Sequence, residues 1–463
     1  MSEKEDDTYI FKINSEREIE KFVGIDAFAT SKIEGIGGEY KQNFKDFIVK
    51  EIESNGKILD IREDNKSQPF SEELKDGCTK FNLIKVNKDT FKALREISKA
   101  LNIPYEMINY SGLKDKHSIS VQKVSIKGDH INNLKNLNLK DVFIRNIYPA
   151  KKPVKLGSHW GNNFTVLIRS IENHRNLENR LEKLFNYLNK KGFPNYFGLQ
   201  RFGSYRPNSH IVGRYILEGN FEKVFEEFVS TTYTSESSES KIARREFRNT
   251  RDYVKAFENF PKNLKYERNM IHYLIENPKD YIGSINTLPP DLKKLLVSSF
   301  QSYLFNKMLS LRVKKGFPLF TPVKGDAICL LDDYNGNLTF VKYIYGGFYD
   351  KFLKKALNLN RAAIIMPIIG NTTKLESFPL MKKLFEETIK TEKFDKNILY
   401  IKSNTELEIK GSIRAITAKP TALKLLEFAN DELNPGKMKI KFGFSLQKGS
   451  YATMLIRELI KPV

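Results

Sequence analysis

Asn109-Tyr110-Ser111-Gly112-Leu113-Lys114-Asp115-Lys116-His117-Ser118-Ile119-Ser120 is a short polar turn with one carboxylate between two lysines. The residues before it have a helical period. Over 88–102, Phe91, Leu94, Ile97 and Leu101 recur at spacings of three, three and four, which places them on one face of an amphipathic helix. Pro104 ends that pattern by restricting its neighbour. After the turn, Val121-Gln122-Lys123-Val124-Ser125-Ile126 alternates as a half-buried strand does. A helix, a turn and a strand follow one another, so the turn is fixed at both ends on regular elements. Side chains mounted that way are better held than those on free loops.

Working outward, Asp46-Phe47-Ile48-Val49-Lys50-Glu51-Ile52 reads as a strand after the punctuation of Gly35-Ile36-Gly37-Gly38, and Phe81–Val86 as a second. Residues 53–78 are polar and read as loop. A strand over Phe164–Ile168 follows Trp160-Gly161-Asn162-Asn163. A helix over about 176–190 carries Leu177, Leu181, Leu184, Phe185 and Leu188, and stops at Gly192 and Pro194. Residues 230–240 are rich in Ser, Thr and Glu, a flexible loop by composition, and a basic run follows with Lys241, Arg244, Arg245, Arg248 and Arg251. Pro289-Pro290-Asp291 opens a long helix closing at Gly316. Ile440, Phe442 and Phe444 mark a late strand, then Gly449-Ser450-Tyr451-Ala452-Thr453 leads into a terminal helix.

The 463 residues suffice for two or three domains. By composition the chain has an N-terminal extension over 1–35, changes character near residue 206, and carries a separate domain or large insertion over 206–403. No apolar run approaches the roughly 18 residues that span a bilayer. The start, Met1-Ser2-Glu3-Lys4-Glu5-Asp6-Asp7, lacks an apolar core, so no signal peptide is expected. Two cysteines, Cys78 and Cys329, make no disulfide framework, which predicts a cytoplasmic setting. Lys and Arg number 77 against 56 Asp and Glu, a formal net charge of +21. The basic residues are spread through folded-looking sequence, which favours a shaped nucleic-acid surface over a charged tail.

The six histidines and two cysteines form no metal-binding motif, and no phosphate loop, dinucleotide fingerprint or nucleophile elbow occurs. Chemistry, if any, is therefore expected of ordinary side chains without a cofactor. A carboxylate can act as a nucleophile at an anomeric carbon. With an unperturbed pKa of about 3.9, an aspartate is ionised at neutral pH, and a nearby cation offsets its desolvation. Lys114 and Lys116 flank Asp115 for that purpose. Locally, though, the turn is also ordinary solvent-facing punctuation. Singly, Phe47, Phe197 and Tyr451 read just as well as core.

In combination the motifs are specific. Lys41 with Asp46-Phe47-Ile48-Val49-Lys50-Glu51, then Gly112-Leu113-Lys114-Asp115-Lys116-His117, Leu156-Gly157 with Gly161-Asn162-Asn163-Phe164, Asn195-Tyr196-Phe197-Gly198-Leu199-Gln200-Arg201-Phe202-Gly203, Gly325-Asp326-Ala327, Gly449–Thr453 and Arg457-Glu458-Leu459 occur in one order. In that order the chain resembles the TruD family of tRNA pseudouridine synthases, in an archaeal or eukaryotic-like form with an N-terminal extension. The resemblance covers about residues 36–460. It departs at Tyr451, where the family often has Phe, and at Phe44-Lys45, where it often has Pro-Glu.

The resemblance implies an α+β fold: a pseudouridine-synthase catalytic domain with a mixed, largely antiparallel sheet flanked by helices, its first part over 36–205 and its C-terminal part over 404–463, and an inserted α/β domain over 206–403 that forms a cleft for RNA. It implies isomerisation of a uridine in tRNA, at position 13 in the usual substrate, by a cytoplasmic monomer with no cofactor, metal or membrane. Asp115 would be the catalytic carboxylate, attacking C1′ or abstracting a sugar proton, and Lys41 its charge partner. Phe47, Lys114, Asn195, Phe197, Gln200, Arg201 and Tyr451 would contact the substrate. The rival expectation is a tRNA-folding chaperone that keeps the basic cleft without needing Asp115.

Overall fold

The computed structural model describes residues 16–62, 66–70, 76–172, 176–203, 206–332, 336–348, 351–400 and 409–461. The expected start at residue 1 and the expected boundary at 403/404 lie outside these residues. In chain order the first strands are β1 (Glu39–Tyr40), β2 (Phe47–Ile52), β3 (Cys78–Val86), β4 (Ile108–Tyr110), β5 (Ile119–Lys127), β6 (Val142–Ala150) and β7 (Gly161–Ile171). Next come β8 (Phe193–Pro194), β9 (Ala327–Leu331), β10 (Leu338–Ile344), β11 (Ala362–Ile368) and β12 (Ser412–Ala415). The last are β13 (Thr417–Ala418), β14 (Thr421–Asn430) and β15 (Met438–Gln447).

A nine-stranded sheet runs β14-β15-β7-β2-β5-β3-β6, with β1 added to β7 and β4 to β5. Of its pairings β2 with β5 is parallel and the others are antiparallel. The sheet is therefore mixed and largely antiparallel, and the fold is α+β, as expected. A second sheet, β10-β9-β11-β12, is antiparallel throughout. Helices between Ser209 and Glu276 pack a separate apolar cluster around Phe225, Phe247 and Ile271. The 25-residue helix Pro290–Lys314, with proline at its start, supplies Phe300, Leu304, Phe305 and Met308 to the main core, which is continuous with both sheets.

Several elements differ from their sequence reading for identifiable reasons. In the helix Thr90–Leu101, Ala93, Leu94 and Ile97 are buried, while Phe91 is exposed and meets Tyr110 edge-on at 6.2 Å. The face that packs is thus rotated from the one the largest side chains suggested. Strand β5 is central and is buried on both faces from Ser120 to Ile126. Its polar residues are internal, not solvent-facing, and Gln122, Lys123 and Ser125 are partnered there. Residues 230–237 are not a loose loop: Thr232 and Tyr233 are buried, and Ser237 caps the helix Ser238–Thr250 by accepting from the Ser240 N–H. Within the basic run, Arg244 is fully buried between Glu236 and Glu267 at 2.9 and 2.7 Å, so it offers nothing to a phosphate.

Candidate active site

The Asp115 turn is a loop between two paired strands, since β4 and β5 are antiparallel neighbours. Its first half is anchored on Glu51 of β2. The carboxylate there accepts from Ser111 Oγ at 2.5 Å, from Lys114 Nζ at 2.7 Å and from the Lys123 N–H at 3.1 Å. Gln122 Nε2 donates to Gly112 O at 3.0 Å, and the Lys114 N–H donates to Thr90 Oγ1 at 3.2 Å. The second half closes on the Asp115 carbonyl, which accepts from Ser118 Oγ at 2.7 Å and Lys85 Nζ at 2.5 Å. Ser111, Lys114, Ser118 and Gln122 are therefore internal fastenings of the turn, and Asp115 stands on its outer side with the exposed Lys116 and His117. The Asp115 carboxylate is 38% exposed, and Oδ2 lies 3.3 Å from Lys41 Nζ.

Lys41 reaches that position through a break in strand pairing. Both β1 and β2 pair with β7, but the register slips between Tyr40↔Ile168 and Phe47↔Val166, so residues 41–46 loop out. Lys41 has φ +62°, a left-handed conformation that costs a non-glycine residue about 1–2 kcal/mol. The excursion closes in a capping box of Asn43 with Asp46, and Asp46 is tied to Arg169 at 3.0 Å. The Lys41 ammonium lies 4.2 Å from the centroid of the Phe47 ring, which is itself buried.

A second group forms where the two sheets meet. The side chain of Asn195 donates to Ala415 O at 3.0 Å and accepts from Arg414 Nη2 at 2.7 Å. Arg414, on β12, also donates to Asn195 O and sits 4.2 Å from the Phe197 ring and 5.9 Å from that of Tyr451. The main chain of Phe197 exchanges two hydrogen bonds with Asn306 on the long helix, at 2.9 and 3.0 Å. Gly198 lets the Tyr451 ring approach: a Cβ there would lie 2.9 Å from Tyr451 Cδ1. Phe47, Phe197 and Tyr451 all pack on the same core cluster, which relates the two groups.

The structure thus brings Lys41, Asp115 and Phe47 together, and separately Asn195, Phe197 and Tyr451. Lys114 does not face Asp115. Its side chain is 2% exposed and paired with Glu51, itself 1% exposed, so it holds the loop from beneath. Lys116 and Gln200 are exposed. Arg201 binds Ser302 Oγ and Ser298 Oγ on the long helix at 3.2 and 2.8 Å.

Three further residues belong to the site. Lys85 is buried within the apolar run of β3, and burial pushes its pKa down to about 8, with Asp115 and Asp89 acting against that shift. His159 packs on Gly112, and burial, then the Lys114 charge, hold its imidazole below the ordinary pKa. Arg414, buried among rings, is lowered to about 10 by desolvation. The signal available for Lys85 and Arg414 was a lone cation inside a β-branched run, which marks a buried partnered charge. His159 carried no such signal.

Comparison with known proteins gives one answer. The family pattern described as tRNA pseudouridine synthase D (TruD) matches residues 22–459. A Methanococcoides burtonii protein named "Probable tRNA pseudouridine synthase D" is 32% identical over 97% of this chain and 98% of its own length. A Methanosarcina mazei protein of the same name is 34% identical over 96% and 98%. A crystal structure from Methanosarcina mazei, assigned to the same family, superposes with a TM-score of 0.78 at 33% identity, covering 96% of this chain and 98% of that one.

Proposed function

The chain belongs to the TruD family of tRNA pseudouridine synthases, which are isomerases, and from that premise we propose that it isomerises a uridine of tRNA, at position 13, with Asp115 as the catalytic carboxylate. The observation that carries the assignment is the 3.3 Å contact between Asp115 and Lys41, residues 74 apart in sequence, on a loop that Lys114, Ser118 and Lys85 fasten from within. The Lys41 ammonium lies against the Asp115 carboxylate, which at 38% exposed stays open to an incoming sugar.

A stacked uridine is inaccessible, so the base is extruded at a cost of a few kcal/mol. Stacking on an aromatic face returns about 1–3 kcal/mol per base. Tyr451, which is partly exposed, is the ring suited to that platform. Phe47 is 1% exposed under the Lys41 ammonium and holds that cation in place. Asn195, bonded to Arg414 and Ala415, orders the wall of the site. In the reaction the N1–C1′ bond breaks, the base turns, C5 bonds to C1′, the C5 proton leaves and N1 gains one. The balance is redox-neutral, so ordinary side chains suffice and no cofactor is invoked. Asp115 takes part by attack at C1′ or by removal of a sugar proton. The domains expected at 36–205 with 404–463 and at 206–403 are proposed to flank the RNA, and the protein to act as a cytoplasmic monomer.

The test is Asp115→Asn. Pseudouridine formation is expected to vanish while tRNA binding persists. Full activity in that variant overturns the assignment, and unmodified tRNA after incubation with the wild-type protein favours a folding chaperone instead.

A further inference from the structure

We propose that a cavity between the two sheets, beside Asn195 and Ser450, is a second nucleotide site that takes an unpaired tRNA nucleotide next to the target. The proposal rests on the reading of the protein as a tRNA-modifying enzyme and adds to it a distinct place of recognition. The cavity measures about 370 Å³ and Asp115 does not line it. Its size is within the roughly 300–1,000 Å³ of ordinary ligand pockets.

The lining has a one-sided chemistry. Lys190, Lys191, Arg414, Lys419 and Lys448 contribute five cations, and among the described residues no Asp or Glu lines it. Lys448 Nζ donates to Gly157 O at 2.8 Å and Lys419 Nζ to Asn358 O at 3.4 Å, both neutral carbonyls. Their charge is therefore not cancelled by a carboxylate partner there. In a chain with 56 acidic residues, a cleft lined this way favours an anion. Lysines alone would suit any phosphate. The same cavity, however, carries the amides Asn358, Asn360 and Gln447, and an apolar side from Leu319, Phe320, Leu338 and Leu357.

Cations for a phosphate, amides for a base edge and apolar surface for a base face are together what recognition of a splayed-out RNA nucleotide needs. Its place adds the rest. Asn195 belongs both to this lining and to the group around Tyr451, and Ser450 immediately precedes Tyr451. A strand whose target base stacks on Tyr451 thus continues into the cavity with its neighbouring nucleotide.

The experiment uses the full chain, a Lys190→Gln/Lys191→Gln variant and an Asn358→Ala variant, none of them altering the catalytic groups. Substrates are the intact tRNA and tRNAs made abasic at one nucleotide on either side of the target. The lysine variant is expected to raise Kd and KM about tenfold with kcat at saturation unchanged. It should also lower the slope of log K against log salt by about 0.7 for each phosphate that is no longer neutralised. One abasic position should weaken binding to the wild type about tenfold and to Asn358→Ala by no further factor, because both remove the same interaction.

Penalties that simply multiply at both positions, or unchanged Kd in both variants, overturn the proposal. So does binding of uridine monophosphate that Asn358→Ala abolishes while no abasic position matters, since the cavity then serves a free nucleotide. Because Kd is read directly, loss of the site is distinguishable from failure of the catalytic assignment, which Asp115→Asn reads through turnover.

Discussion

At the scale of single residues, the site depends on where charges are hidden as much as on where they are shown. Asp115 is open because Glu51 and Lys114 are not. A buried ion pair contributes little net stability in itself, but removing one partner leaves an uncompensated charge and costs about 3–5 kcal/mol. Glu51→Ala should therefore lower the unfolding free energy by that order and should also release Ser111 and the Lys123 N–H. The double variant Glu51→Ala/Lys114→Met should recover part of the loss, the two changes being coupled. Urea denaturation of the four chains of the cycle measures this. Turnover adds a second reading: in the double variant kcat falls while KM for tRNA holds, because the loop is displaced and the RNA surface is not. A Glu51→Ala variant within about 1 kcal/mol of wild type would falsify the view that this pair supports the loop.

At the scale of elements, local period and punctuation were legible, and pairing at long range was not. The helices at Thr90–Leu101, Leu177–Lys191 and Pro290–Lys314 sit where apolar spacing and proline put them. The strand after the Asp115 turn was also readable. Its burial on both faces was not, because that depends on β3 and β2 arriving from elsewhere in the chain. Nothing in the basic run 241–251 itself showed that Glu236 and Glu267 fold onto Arg244. Arg414 carried the signal of a buried cation, but its partner Asn195 emerged only when β12 joined β11. The segment Asn195–Gly203 lies between these cases: its motif was readable, and its geometry rests on one glycine. Gly198 has an ordinary φ of −73°, so alanine is free of backbone strain there, but its Cβ would press on Tyr451 Cδ1. Gly198→Ala should leave the melting temperature within a few degrees and cut kcat/KM for tRNA about tenfold by turning the Tyr451 ring. If the variant melts normally and modifies tRNA at the wild-type rate, the ring is not placed by this contact.

At the scale of the whole molecule, the segment expected to be an N-terminal extension is, from about Glu16 onward, a staple across the core. Val23 and Ile25 are fully buried. Asn306 and Ser310 on the long helix donate to Val23 O and Gly24 O at 3.1 and 2.7 Å. Glu458 on the terminal helix, which begins directly after Tyr451, accepts the N–H groups of Ala29 and Thr30 at 2.9 and 3.0 Å. The family-like Arg457-Glu458 pair thus ties the chain's beginning to the helix that follows Tyr451. Phe22 also covers His210, meeting it edge-on at 5.2 Å while Tyr303 stacks on its other side at 4.6 Å. Burial there pushes the His210 pKa down to about 3. The unfolded chain binds a proton at this histidine below about pH 6.5, and the folded chain does not until about pH 3. Stability from this group is therefore complete above about pH 6.5 and declines as pH falls from there toward about 3, by at most about 1.4 kcal/mol per pH unit. His210→Phe keeps a ring under Phe22 and removes the titration, so its stability relative to wild type should grow steadily between about pH 6.5 and 5. Denaturant titrations of both chains across that range measure the difference. Parallel curves would mean that the histidine already titrates in the folded chain, and hence that the N-terminal segment does not seal the core over it.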